Sequence, residues 1–276
     1  MLVALMPHPG KEAALRLARE LVLRLDRQGV ELWLEADAAR ALGREDLVRS
    51  EQELERADVA LVLGGDGALL KAARVAAPYG VPILGVNLGH LGFLTAVEPT
   101  GLEEALARVF RGEYTIEERM MLRAQVERSG RVVRSFYGLN DAAVTRGTFA
   151  RVIKYESRID GSLIGTFLAD GVIVATPTGS TAYSLSAGGP IVHPGVEALI
   201  VTPICPHTIG ARTVVAMPGQ RVTIRVLSRD DAMLTVDGQV GERLKAQDHV
   251  VVERAGKPAR LVSFGERDFY SLIHNR

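Results

Sequence analysis

The chain has 276 residues, of which 47% are apolar and 24% charged, an ordinary globular composition rather than a disordered one. Lys+Arg and Asp+Glu balance at 33 each, so no global field directs the protein to nucleic acid or to an acidic membrane surface, and any anion binding must come from local geometry. Cys205 is the only cysteine, which excludes an internal disulfide and suits a reducing compartment. No apolar run reaches the roughly 18 residues of a membrane helix. The apolar start meets Pro7 too soon for a secretory leader and lacks a basic flank. These features together give the expectation of a soluble, cytoplasmic protein.

Residues 2–6 read as a first strand with Pro7-His8-Pro9-Gly10 as its exit loop. Residues 12–27 show helical periodicity, with Ala14, Leu17, Ala18, Leu21 and Leu25 on one face and Gly29 as a stop. Strands are expected at 30–34, 59–63 and 81–87, with a polar helix-like segment running to Arg56 between the first two. Such alternation predicts a doubly wound, Rossmann-like parallel sheet that binds ligands at the carboxyl ends of its strands. Asp66, Asn87 and the loop around His90 fall at that edge, as does His8, although a loop histidine is more often a solvated residue than a catalyst.

The stretch 59–71 carries the most chemistry. An apolar strand runs into Gly64-Gly65-Asp66-Gly67, and good helix formers follow from Ala68 to Ala77. Glycines let a ligand approach the backbone with no Cβ in the way, and a helix start offers unpaired N–H groups to phosphate. Asp66 is out of place in a simple phosphate loop, because a carboxylate repels phosphate. Either it caps the following helix or it serves a metal or a nearby hydroxyl.

After a short helix at 102–110 the pattern changes. Strands are expected at 114–127, 131–139, 151–159, 171–175, 221–226 and 250–254, separated by Ser129-Gly130, Asp160-Gly161 and Asp237-Gly238 turns. The alternation in 221–226 suits a half-buried antiparallel strand. The division is therefore an α/β domain over 1–98 and a mainly antiparallel β domain over 99–263, with the tail 264–276 packing back on the first. Within the β region, residues 176–190 place Thr176, Thr178, Ser180, Thr181, Ser184 and Ser186 around glycines. Such a block is either a set of neutral donors for a ribose, phosphate or base edge, or a loop bonded to its own backbone.

Taken together, Gly64-Gly65-Asp66-Gly67, the segment Gly89-His90-Leu91-Gly92-Phe93-Leu94-Thr95, Asn140-Asp141, Asp170-Gly171, the block 176–190, the segment Thr202-Pro203-Ile204-Cys205-Pro206-His207 and Asp237-Gly238-Gln239 resemble the NAD kinases, bacterial type, in order and over most of residues 59–239. The glycine–aspartate turn alone is shared with phosphofructokinases and with diacylglycerol and sphingosine kinases; the block 176–190 is the more specific feature. The resemblance implies transfer of the γ-phosphoryl of ATP, or of phosphate from polyphosphate, to the 2′-hydroxyl of the adenosine ribose of NAD. A ribose hydroxyl needs a nearby proton acceptor, and the resemblance gives Asp66 that role, with Mg²⁺ as the divalent cation. Gly64, Gly65 and Gly67 would form the phosphate loop. Lys71 would reach phosphate as a point charge, its alternative being a solvated helix residue.

The resemblance also implies the NAD contacts. Asn140 would match an adenine edge and Asp141 the ribose hydroxyls, although Asn-Asp by itself is turn-prone. Tyr183 resembles the adenine-stacking aromatic. Thr178, Thr181 and Ser186 would bond base or phosphate, with Ala182, Ser184, Leu185 and Gln239 in the same surface. Asp170 resembles a contact to the nicotinamide carboxamide, and Arg151 a polar ligand position. A homodimer or homotetramer is implied on the same ground, with ligand segments on both domains pointing to a cleft. Two departures stand out: Ala68 where many relatives carry Thr, and Leu168 where relatives often have a polar residue. Cys205 and His207 read as structural. The competing readings are a lipid or sugar kinase that shares the turn, and a non-catalytic sensor of NAD(P).

Overall fold

The computed structural model describes residues 1–89, 92–147, 152–208, 210–228, 231–265 and 269–274. The chain divides into two compact units, one formed by Met1–Glu118 with Ala259–Arg276 and the other by Arg119–Pro258.

In the first unit the elements are β1 (Leu2–Pro7), α1 (Glu12–Arg27), β2 (Glu31–Trp33), α2 (Ala36–Leu42), β3 (Val59–Gly64), α3 (Asp66–Ala76), β4 (Pro82–Asn87), α4 (Leu102–Phe110) and β5 (Thr115–Arg119). They build a six-stranded sheet in the order β2-β1-β3-β4, completed by the later strand Ala259–Ser263 and by β5. The β1–β2, β1–β3 and β3–β4 pairs are parallel. β3 and β4 are buried along their whole length, as continuous apolar runs in a parallel sheet should be. α1 packs Ala14, Leu15, Ala18, Leu21, Val22 and Leu25 inward, so its apolar stripe sets which face meets the sheet. The segment read as a polar helix up to Arg56 is instead α2, ended by Gly43 in the left-handed region, followed by two short 3₁₀ turns.

The second unit contains β6 (Leu122–Arg128), β7 (Arg131–Gly138), β8 (Asp141–Arg146), β9 (Ile153–Ile159), β10 (Ser162–Ala169), β11 (Gly171–Ala175), α5 (Tyr183–Ser186), β12 (Leu199–Ile204), β13 (Val214–Ala216), β14 (Val222–Val226), β15 (Ala232–Val236), β16 (Val240–Leu244) and β17 (His249–Arg254). Among the described residues they form two six-stranded antiparallel sheets, β10-β9-β14-β17-β6-β7 and β13-β12-β11-β8-β15-β16. One face of each contributes to a shared core that includes Val126, Tyr155, Ile224 and Val250 from the first and Val144, Val174, Val201 and Leu234 from the second. β11 and β12 are apolar on both faces because the second sheet is covered twice: Ile173, Ala175 and Ile200 on its other side pack against Ala187 and Val192. The hydroxyl-rich block therefore lies over that sheet.

The chain then returns to the first unit through β18 (Ala259–Ser263), which pairs in parallel with β4, and ends in α6 (Phe269–His274). Two differences from the sequence expectation concern the division. The run 114–127, read as one strand, is broken at Met120-Met121 into β5 and β6, and α4 and β5 extend the first unit beyond the expected boundary at 98. The returning segment begins at Ala259 with a sheet strand, five residues before the tail that composition singles out.

Candidate active site

Two groups of residues carry chemistry, one in each unit. In the first, β3 ends at Gly64 and α3 begins at Asp66, with Gly65 as an extended N-cap that offers no side chain. Asp66 does not cap its own helix. Its Oδ2 accepts the Phe93 N–H at 2.9 Å and its Oδ1 the Leu94 N–H at 3.2 Å, so the loop after β4 is folded onto the carboxylate. Asn87, buried at 4% exposure, starts that loop by accepting the Gly89 N–H and donating to the Gly89 carbonyl, both at 3.2 Å. The Leu88 N–H bonds the Gly64 carbonyl at 2.7 Å and ties the two loops together. A Cβ at Gly92 would fall on the Asp66 carboxylate itself. Gly92 is thus demanded by close approach and not by a special φ.

Ala68 turns its methyl to Gly64, where an added Cβ would meet it at 2.5 Å, so this position packs the glycine turn with a methyl and supplies no hydroxyl. Gly67 is exposed in the first turn of α3. Lys71, one turn on, is engaged by Glu35, with Nζ 2.5 Å from Oε2 and the lysine side chain 51% exposed. Lys11, which the sequence reading passed over, brings its Nζ within 3.6 Å of where a Gly89 Cβ would stand and makes no ion pair among the described residues. His8 accepts the Gly10 N–H on Nδ1 at 3.1 Å, a local turn bond. His90 and Leu91 lie outside the described residues.

In the second unit three separate motifs meet. Asp141 opens β8 and Asn140 immediately precedes it. The Asn140 carbonyl accepts the Thr176 N–H at 2.8 Å, and the Leu139 carbonyl accepts the Thr176 hydroxyl at 2.6 Å. Thr176 Oγ1 in turn accepts the Gly179 N–H at 3.1 Å. Gly179 lies so close that a Cβ there would strike the Asn140 carbonyl and α-carbon. From the other side, Asp237 in the β15–β16 turn accepts the N–H groups of Leu139, Asn140 and Asp141 at 3.1, 2.8 and 3.3 Å. Asp141 itself is 5% exposed, and among the described residues its carboxyl has no hydrogen-bond or ion-pair partner. Burial and the neighbouring Asp237 charge push its pKa up to about 7.

The hydroxyl block separates into two sets. Thr176, Ser180 and Ser184 bond within the protein: Ser180 to the Pro177 and Val192 carbonyls at 2.6 and 3.1 Å, and Ser184, fully buried, to Thr202 at 3.2 Å. Thr181 keeps only a 3.4 Å contact to the Thr178 carbonyl, and Thr178 is buried with no side-chain partner among the described residues. Tyr183, Leu185 and Ser186 are exposed on α5, with Tyr183 at 44%. The Tyr183 phenol pKa is raised by burial and then by Asp141, Asp170 and Cys205. Asp170 receives the Arg146 guanidinium at 3.1 Å. Gln239 is exposed in the turn beyond Asp237. Arg151 lies outside the described residues.

His207 does not take the packed position read from the sequence, and Cys205, read there as structural, is exposed as well. Cys205 is exposed in a left-handed conformation at φ 45°, and exposed His207 donates its backbone N–H to the Leu168 carbonyl at 2.8 Å. Leu168 is 42% exposed. Sequence reasoning registered Asp237-Gly238 as a turn, which it is, but a turn signal does not reveal that the aspartate is buried and holds three amides. Lys11 left no signal at all.

The comparisons with known proteins agree across both units. Residues 3–114 match the model for the ATP-NAD kinase N-terminal domain, and residues 139–264 the model for the ATP-NAD kinase C-terminal domain. A curated NAD kinase of Caldanaerobacter subterraneus subsp. tengcongensis is 41% identical over 99% of this chain and 98% of its own length. A NAD kinase of Geobacter metallireducens is 47% identical over 94% of this chain and 92% of its own. Among solved structures, yeast NADH kinase complexed with NADH superposes with a TM-score of 0.91 at 26% identity, covering 99% of this chain and 86% of that one. An NAD kinase from Archaeoglobus fulgidus in complex with ATP gives 0.75 at 28% identity, covering 99% and 98%.

Proposed function

The chain belongs to the NAD kinase family, and we propose that Asp66 is the proton acceptor of the reaction. The activity is phosphorylation of NAD to NADP with ATP as donor. In the transfer, the ribose O2′ bonds to the γ-phosphorus as the bridging bond to ADP breaks. The hydroxyl proton passes to the Asp66 carboxylate and from there to solvent.

The observation that carries this reading is the orientation of the Asp66 carboxylate by the Phe93 and Leu94 amides, at the carboxyl end of a buried parallel strand and in a turn without side chains. Two amide bonds leave a carboxylate with lone pairs to spare, so Asp66 is held in place and still able to accept a proton. It is not spent on capping its helix, which removes the ordinary structural explanation for an aspartate at this place.

Mg²⁺ fits this chemistry as a companion of the triphosphate, whose oxygens are its usual ligands alongside one or two carboxylates. When bound it would neutralise charge developing on the transferred group. Among the described residues no cluster of three or more His, Cys, Asp or Glu stands ready to hold a metal. Gly64, Gly65 and Gly67 would receive donor phosphate on backbone N–H groups. Lys71 would contribute only after leaving Glu35.

On the acceptor side, Asn140, Asp141, Thr178, Thr181, Ala182, Tyr183, Ser186 and Gln239 are proposed as the NAD surface, with Leu185 beside them and Asp170 toward the carboxamide. The buried Ser184 would support that surface from beneath, and Arg151 would complete it. Polyphosphate as an alternative donor, a cytoplasmic location and a homodimer or homotetramer complete the reading.

The test is an assay of purified protein with NAD⁺ and Mg²⁺-ATP, read by a dehydrogenase that accepts only NADP⁺. Asp66→Asn is expected to keep NAD binding and to lose about 10²- to 10⁴-fold in rate, the usual worth of a general base. NAD binding without turnover in the wild-type protein, with ATP and with polyphosphate, would favour the sensor reading instead.

A further inference from the structure

We propose that Asp237 is a positioning residue of the reaction: its carboxylate fixes the backbone of Leu139, Asn140 and Asp141 and thereby presents the Asn140 amide and the Asp141 carboxyl to NAD. The inference rests on the NAD kinase reading and goes beyond it, because the turn that holds Asp237 is remote in sequence from the residues it organises.

The geometry is a clamp with two sides. On the amide side, Asp237 Oδ1 accepts from Asn140 at 2.8 Å and from Asp141 at 3.3 Å, and Oδ2 accepts from Leu139 at 3.1 Å. On the carbonyl side, Thr176 bonds the Leu139 and Asn140 oxygens, and Gly179 closes on the same peptide. The Asp141 carbonyl completes the closure by accepting the Asp237 N–H at 2.9 Å. A chain bonded through three successive N–H groups and their carbonyls has its backbone, and so the direction of each Cα–Cβ bond, fixed. Asp237 is 8% exposed and takes φ 52°, a left-handed conformation that a non-glycine residue adopts at some cost. A serine or asparagine would make a tight turn without burying a charge. A buried carboxylate on three amides is what anchoring this peptide requires.

The clamp has a second consequence that a purely structural role would lack. The Asp141 carboxyl is buried, and the titratable group acting on it is Asp237 from the β15–β16 turn; Asp141 in turn raises the Tyr183 phenol of α5. Its β11 neighbour across the sheet is Ala175, which carries no charge. Burial first, and the Asp237 charge after it, raise the Asp141 pKa to about 7, so Asp237 fixes where Asp141 lies and contributes to the pH at which it ionises.

The experiment is the pH dependence of KM for NAD in the wild-type protein and in Asp237→Asn. Asparagine keeps Oδ1 for Asn140 and Asp141 but turns an NH₂ toward the Leu139 N–H, and it removes the charge. The expected result is a KM for NAD raised about tenfold, the scale of one buried bond turned repulsive. The expected kcat at saturating NAD stays within threefold of wild type, and the inflection of KM moves to lower pH. An inflection that stays at its wild-type pH, or a loss confined to kcat, would overturn the proposal.

Should Asp237→Asn fail to fold, a ¹³C titration of the aspartate carboxyls in the wild-type protein, assigned with Asp141→Asn, decides instead. An Asp141 signal titrating near neutrality supports the proposal, and an Asp141 signal titrating in the ordinary carboxylate range rejects it. A wild-type protein that makes no NADP⁺ would reject the kinase reading, while the ¹³C titration would still test the coupling of the two carboxyls.

Discussion

The α/β unit and the β unit each hold one of the acidic side chains proposed to meet a sugar hydroxyl, and they hold it by opposite means. Asp66 in the α/β unit receives two backbone amides directly on its oxygens. Asp141 in the β unit receives none among the described residues; its backbone is bound while its carboxyl is nearly buried. Amide donors stabilise an ionised carboxylate, whereas burial beside another negative charge stabilises the protonated form. The first arrangement fixes the orientation of a carboxylate and leaves it lone pairs to accept a proton. The other suits a group that can hold a ligand as donor or as acceptor according to pH. The difference teaches that the family's two acidic motifs are not interchangeable anion positions, and the following variants probe it.

The largest effect is expected on stability at Asp141. Its folded pKa of about 7 lies above the ordinary aspartate value of 3.8, so the folded state binds the proton more tightly than the unfolded chain. That favourable contribution is complete below about pH 4 and is lost as pH rises to about 7, with a ceiling of about 4 kcal/mol for a shift of roughly three units. Asparagine mimics the protonated acid. Asp141→Asn should therefore melt at a higher temperature than wild type at pH 8 and at nearly the same temperature at pH 4. Thermal melts across that range check it, and parallel curves for the two proteins would remove the contrast with Asp66.

Next in size is Gly92→Ala. Its Cβ would occupy the Asp66 carboxylate, so the side chain must turn away from the Phe93 and Leu94 amides. A displacement of about 1 Å at a reacting group costs on the order of 10²-fold, and the loss should fall on kcat with KM for NAD little changed. The matching variant in the other half-site, Gly179→Ala, drives a Cβ into the Asn140 backbone. It should cost about 1–3 kcal/mol of stability by overpacking and raise KM for NAD rather than lower kcat. Steady-state kinetics on the two alanine variants would show whether the half-sites separate into turnover and binding; equal effects on both constants would merge them.

These glycines mark what was legible in the sequence and what was not. The α1, α4 and β11 boundaries follow from periodicity and from β-branched runs, because local pattern and burial agree there. Strand β8 was missed because Asp141-Ala142-Ala143-Val144-Thr145-Arg146 is short, alanine-rich and flanked by turn-formers, and only its place between β11 and β15 makes it a strand. β18 was missed for the same kind of reason: its partner β4 lies far back in the chain. At the site, the Gly64-Gly65-Asp66-Gly67 turn and the hydroxyl block announced themselves by composition. Which hydroxyls are spent internally, as Ser180 and Ser184 are, depends on what folds over them. Gly92 could be seen as a glycine in a motif, but that its missing side chain makes room for Asp66 is a fact of tertiary contact.

The smallest effect is expected at the lysines of the first unit. Lys71 is partnered by Glu35 on an exposed surface, with side chains 51% and 30% exposed, and such pairs are worth between zero and about 1 kcal/mol. Any phosphate contact from Lys71 competes with that carboxylate, so Lys71→Met should change stability by less than about 1 kcal/mol and KM for ATP by about threefold or less. Lys11 has no competing carboxylate among the described residues and sits beside Gly89, the residue that Asn87 holds in the loop leading to the Asp66 amides. An unpartnered ammonium in that position has its full charge to give to donor phosphate. Lys11→Met should therefore raise KM for ATP more than Lys71→Met does, with the gap narrowing at high salt as screening weakens both. Measuring both constants at low and high ionic strength ranks the two cations. A larger effect at Lys71 would mean that Glu35 releases it when the donor binds, and the first half-site would then be assembled by its ligand instead of standing ready for it.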